Sequence, residues 1–180
     1  MEYDLVRLFE HPLRFRDCIP SAIVLFGGGA RGRFPLKIQW RNHAEEVSQT
    51  STLLVTWDVE ALREHFADID EEIDILRTRD DDRAAMVELA AVVVAVSVMA
   101  HIEPRSRFTR RSAIGTAHDY YLNETSTEMI EVAGRWQGGL SHLFAQKKRQ
   151  SECNPRLLKR WVSVTVIMKK ARNRTEGLHI

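Results

Sequence analysis

Two acidic residues, Asp119 and Glu131, stand twelve positions apart on either side of a short polar stretch, Asn123 to Thr127. If that stretch turns at Thr125, the two lie equidistant from the centre of a hairpin. Directly opposed residues of an antiparallel pair point to one face with their Cβ atoms about 5 Å apart. Two carboxylates that close repel unless one keeps its proton or a cation sits between them. A hard divalent ion such as Mg²⁺ takes oxygen ligands of this kind and keeps several waters. It can polarise a phosphodiester and lower the pKa of an attacking water. A slip of one residue in register would turn one carboxylate to the other face.

The residues around the pair carry a resemblance. Gly115-Thr116-Ala117-His118-Asp119-Tyr120-Tyr121-Leu122, followed by Ile130-Glu131-Val132-Ala133-Gly134, is similar to the central motif of the restriction-endonuclease-like, or PD-(D/E)xK, nuclease superfamily. The resemblance covers about Arg83 to Met168 and implies a core of helix, three strands, helix, strand. It implies Asp119 and Glu131 as ligands of Mg²⁺, with Glu88 on the first helix assisting. The family's lysine two residues after the glutamate is replaced here by Ala133. Either the following helix supplies it, where Lys147 and Lys148 lie, or the site is reduced. The implied function is a metal-dependent nuclease acting on DNA or RNA. The alternative is a catalytically reduced nuclease-fold protein that binds nucleic acid or serves as an assembly subunit, so enzyme activity stays open.

Other motifs carry less. Gly27-Gly28-Gly29-Ala30-Arg31-Gly32 satisfies the dinucleotide-binding pattern, but that pattern needs a helix next, to meet the phosphates. Here Arg33-Phe34-Pro35 leads into an extended segment, and a glycine turn between strands is expected. The same residues resemble the oxyanion loop of patatin-like lipases, yet Gly139-Leu140-Ser141-His142-Leu143 lacks the second glycine of a nucleophile elbow. The seven histidines form no zinc pattern.

Charge is segregated along the chain. From Pro104 to Ile180 there are 15 Lys and Arg against 6 Asp and Glu, while the rest holds 11 against 19. Arg105, Arg107, Arg110 and Arg111 precede the hairpin; Arg149, Arg156, Lys159 and Arg160 follow it. These eight are the expected contacts to nucleic-acid phosphates. Cys18 and Cys153 lack paired spacing, which suits free thiols in a reducing compartment. Met1 to Glu10 lacks the apolar run of a secretory leader, and a cytoplasmic location is expected. Leu89 to Ala100 is uncharged but shorter than the 20 or so residues of a membrane span. A buried element and no membrane association are expected. A homo-oligomer or larger complex is possible.

The elements that must position these residues follow from periodicity. Ser21 to Phe26, Phe34 to Trp40 and Thr52 to Trp57 are expected as strands. Val59, Leu62, Phe66, Ile69, Ile73 and Leu76 recur at three and four, predicting one helix from Asp58 to Leu76 with an acidic outer face. Asp80-Asp81-Asp82 marks a break and the start of a buried helix, Arg83 to Ala100. Extended segments Arg107 to Thr116 and Ala117 to Leu122 follow, then a strand from Glu128 to Ala133 that Gly134 breaks. A helix from Gln137 to Gln150 and a strand from Trp161 to Met168 complete the core. The basic tail from Lys169 is expected to be mobile at its end. The fold class is α/β (α+β), with residues 1–80 as N-terminal strands plus acidic helix packed on a nuclease-like core at 81–180.

Overall fold

A run of twelve uncharged residues that includes seven adjacent alanines and valines must be shielded from water wherever it folds. In the computed structural model it forms the middle of helix α4 (Arg83–Ile102), in which every residue from Ala90 to Met99 is buried. The structure describes residues 1–42, 48–79, 83–112, 119–124, 127–152, 159–167 and 172–179, the last stretch by its backbone alone. Valine is a poor helix former, but enclosure on all sides outweighs its propensity. The hydroxyl of the buried Ser97 donates to the Val93 carbonyl at 2.7 Å, so the apolar interior carries no unmet donor there. By length and composition α4 could cross a membrane, yet 67% of its apolar window is buried inside the protein itself.

The fold is mixed α/β. Among the described residues eight strands, β1 (Glu2–Asp4), β2 (Arg31–Asn42), β3 (Gln49–Asp58), β4 (Phe108–Arg111), β5 (Tyr120–Leu122), β6 (Glu128–Arg135), β7 (Lys159–Val166) and β8 (Arg172–His179), form one sheet. Their order is β1-β3-β2-β8-β7-β6-β5-β4. Strands β4, β5 and β6 are an antiparallel meander; helix α5 (Leu140–Glu152) then carries the chain across to β7, parallel to β6. From α4 onward the order is therefore helix, three strands, helix, strand, as the sequence predicts. Helix α4 covers one face of β6 and β7, and α5 lies over the other.

Several expectations are corrected. Ser21 to Phe26 is not a strand but part of helix α1 (Ile19–Phe26). Pro20 sits in its first turn, and Gly27 ends it at φ 143°, a conformation that side chains resist. Burial against α4 decides its type, not the β-branched content of the run. The glycine-rich loop consequently joins a helix to a strand, the reverse of the order a phosphate-binding loop needs. The single helix expected from Asp58 to Leu76 is two, α2 (Val59–Arg63) and α3 (Ile69–Thr78). The break is fastened by Arg63, whose guanidinium reaches Asp70 at 2.6 and 3.1 Å. Asp58 caps α2 as expected, accepting from the Glu60 amide at 3.0 Å. The C-terminal tail is not a loose end: β8 lies inside the sheet, parallel to β2 and antiparallel to β7. Asp80-Asp81-Asp82 and Cys153 fall outside the described residues; Cys18 is a buried free thiol.

Gly134 does not break β6 but continues it through Arg135. A Cβ there would stand 2.4 Å from the Val87 carbonyl oxygen and 2.9 Å from the Ala91 Cβ, so α4 crosses β6 directly above this glycine. Since the obstacle is helix backbone, Gly134→Ala should push α4 off the sheet. Chemical denaturation should show a loss of about 2–3 kcal/mol with little change in m-value. An unchanged midpoint would refute this account of the crossing.

Candidate functional site

Strand β5 is only three residues long, so its register decides where its neighbours stand. Tyr120 pairs with Ile130 and Tyr121 with Met129, which centres the hairpin on residue 125 and brings Asp119 close enough for its charge to act on Glu131. The turn residues 125 and 126 lie outside the described residues. Past Tyr120 the Asp119 amide donates to the Ile130 carbonyl at 3.2 Å, one residue off the regular register, and the Ser112 amide donates to the Asp119 carbonyl at 2.9 Å. The Asp119 carboxylate then accepts from the Val132 amide at 2.7 Å, which ties it to the residue after Glu131.

Alternation along β6 sorts its side chains. Ile130 and Val132 join the main core, on the face that α4 covers. Glu131 and Ala133 take the other face, where Ala133 packs with Leu140, Leu143 and Phe144 of α5 and Val162 and Val164 of β7. The apolar residues of α5 at 140, 143 and 144 fix the helix on the sheet, and Lys147 continues that stripe by one turn. Its ammonium donates to Glu131 Oε1 in a close ion pair. Lys147, two turns into α5, thus meets the glutamate, while Ala133 brings no charge to it. Lys148 lies about 100° further round the helix and does not share that direction.

Glu131 is 1% exposed, and its second oxygen, Oε2, is buried without a hydrogen-bond partner among the described residues. Burial, and next the Asp119 charge, lift its pKa to about 7, against the opposing pull of Lys147. Burial also raises Asp119, opposed by the Val132 amide and by Lys147. Two crowded acids and one ammonium therefore share a poorly solvated pocket of the sheet. Oxygen donors with an unspent buried lone pair suit a hard cation such as Mg²⁺ better than a softer metal. Among the described residues no group of three or more His, Cys, Asp or Glu side chains could hold a metal. An ion here would take these two carboxylates and complete its shell with water.

Other expected site residues fall elsewhere. Glu88 is exposed on α4, which covers the opposite face, and it contributes to the electrostatics of neither carboxylate. Lys159 is occupied by Glu103 at 3.0 Å and Glu128 at 3.4 Å on the α4 side of the sheet. Arg107 donates to the Pro104 and Ser106 carbonyls at 2.9 and 3.1 Å. Arg111 acts on Cys18 and Tyr120, also toward the α4 side. Arg160 is buried in β7 beside Met129, whereas Arg105 and Arg149 are exposed. Arg110 lies 4.0 Å over the Tyr121 ring. His118 and Arg156 lie outside the described residues.

Sequence reasoning missed Glu128, which accepts from Asn123 Nδ2 at 2.8 Å and Trp161 Nε1 at 3.1 Å. Asn123, at φ 58°, in turn accepts the Arg107 amide on Oδ1 at 3.1 Å. Together they pin both ends of the hairpin and hence its register. The signal available was an asparagine at a turn entrance, a residue that tolerates the left-handed conformation.

The raised Glu131 pKa gives a signed pH dependence. A carboxyl whose folded pKa lies above its unfolded value favours folding while protonated, and that contribution fades as pH rises from about 4.5 to about 7. In metal-free buffer the protein should therefore lose up to about 3 kcal/mol of stability across this window. Glu131→Gln should flatten the loss and be the more stable form at pH 8. Thermal or urea unfolding at a series of pH values measures it; parallel profiles for the two proteins would refute the assignment.

No family model, curated protein or solved structure matches this chain, so the reading of the site rests on its geometry.

Proposed function

We propose that the chain is a Mg²⁺-dependent nuclease with a restriction-endonuclease-like core, hydrolysing phosphodiester bonds of DNA or RNA. The observation that carries this reading is the convergence of Lys147 on Glu131 beside Asp119. The element order from α4 to β7 supports it as well. In this mechanism Asp119 and Glu131 hold the cation, with Glu131 Oε2 as an available donor. A cation held there would supply positive charge to polarise the phosphodiester and lower the pKa of a water. Lys147 orients the attacking water and offsets the charge that develops on the phosphoryl oxygens. The apolar surroundings made by Met129, Val162 and α5 keep bulk water from screening these charges.

One observation favours a second reading, a reduced nuclease fold that binds nucleic acid without cutting it. Glu88 stands apart from the pair, which leaves two acidic ligands where the resemblance implies three.

Incubating the protein with labelled DNA and RNA, with and without Mg²⁺, separates the two. Cleavage should require Mg²⁺, vanish in Asp119→Ala and Glu131→Ala, and fall at least a hundredfold in Lys147→Ala. Mg²⁺ should also raise the melting temperature at pH 8, because it binds only the folded state, and should do so less at pH 5, where Glu131 keeps its proton. Asp119→Ala should abolish that rise. Binding without cleavage in Mg²⁺ selects the second reading. Neither binding nor thermal stabilisation by Mg²⁺ would eliminate both.

A further inference from the structure

A β-bulge in β4 re-aims one arginine. The pairing of β4 with β5 shifts between Phe108 and Arg110, so Thr109 is the extra residue. Its hydroxyl donates to the Asn123 carbonyl at 2.6 Å, which locks the bulge in place. Arg110 is thereby set opposite Tyr121. Tyr121 lies two residues beyond Asp119 and so shares its face of the sheet, about 7 Å along the strand. The Arg110 guanidinium rests 4.0 Å over the Tyr121 ring. Arg110 is exposed, and among the described residues it forms no ion pair with a carboxylate. Helix α5 lies over β6, β7 and β8 and does not bury it.

We infer that Arg110, held over the Tyr121 ring, grips the substrate-strand phosphate next to the one at Asp119 and Glu131. The inference rests on the nucleic-acid reading of that site and singles out one of the eight expected basic contacts. A guanidinium offers paired donors in one plane, which match two oxygens of a phosphate. Contact with the ring restrains the guanidinium before the substrate arrives, so less side-chain freedom is lost on binding. Tyr121 acts through Arg110 and is a positioning residue.

The test is fluorescence anisotropy of labelled single- and double-stranded oligonucleotides in EDTA over a range of KCl. Arg110→Ala should weaken binding about tenfold and reduce the slope of log K against log salt by about one. Arg110→Lys should keep the slope and still lose affinity severalfold, because an ammonium has no plane to stack. Tyr121→Leu should weaken binding severalfold when Arg110 is present and leave Arg110→Ala unchanged; Tyr121→Phe should bind as the wild type. If the wild type binds and Arg110→Ala matches it in affinity and slope, the phosphate grip is wrong while the nuclease reading stands. Equal losses from Tyr121→Leu in both backgrounds would remove Tyr121's positioning role. A wild type that binds no oligonucleotide at any salt overturns this inference together with the function beneath it.

Discussion

A carboxylate that is 1% exposed cannot be ignored by the structure around it, because an isolated buried charge is costly to desolvate. Glu131 is such a group, and it is placed beside a second acid, Asp119. Two features compensate it in part: the Lys147 ammonium and the raised pKa that lets the proton stay. The Val132 amide supports the neighbouring Asp119 instead, and both the ammonium and the amide have a structural precondition. Lys147 arrives only because Leu140, Leu143 and Phe144 seat α5 on the same sheet face. The Val132 amide is available because Asp119 stands at the end of β5 in the register that Glu128 and Asn123 pin.

The sheet separates two tasks by its two faces. One face encloses α4, whose middle is apolar on every side and whose backbone touches β6 at Gly134. The other holds the acids, the lysine and the arginine on Tyr121. Strand alternation makes this division possible in a single segment: Ile130 and Val132 stabilise the core while Glu131 between them faces α5. The same alternation explains why Glu88, on the helix that fills the first face, has no part in the pair. Burial of this kind favours a site over stability. Two acids that repel in a dry pocket weaken the metal-free fold, and a bound cation would return what they cost.

The chain's charge segregation also acquires a structural sense. Of the basic residues expected to meet nucleic acid, Lys159 is consumed by Glu103 and Glu128, and Arg107 by backbone carbonyls. A surplus of positive charge in the sequence is therefore not a surplus of available charge. What distinguishes Arg110 is its bulge and its aromatic support, neither of which a count of arginines reveals.

The sequence by itself determined the elements whose signals are local. Spacing about a turn at Thr125 brought Asp119 and Glu131 together, an uncharged run identified α4, Asp58 was legible as a cap, and an order of helix, two or three strands, helix, strand followed. It misread α1, because a buried helix and a buried strand share the same short apolar run and only the neighbours choose between them. It read one helix across α2 and α3, because the periodicity of Phe66 continues through a break that Arg63 and Asp70 fasten. Only the tertiary structure decided that the tail is an inner strand, that Gly134 is a crossing point, and that Lys147 rather than a residue at 133 meets Glu131. Those outcomes depend on which helix packs on which face and how far along its axis a side chain emerges. Such distances are set by packing between segments remote in sequence, and no local pattern encodes them.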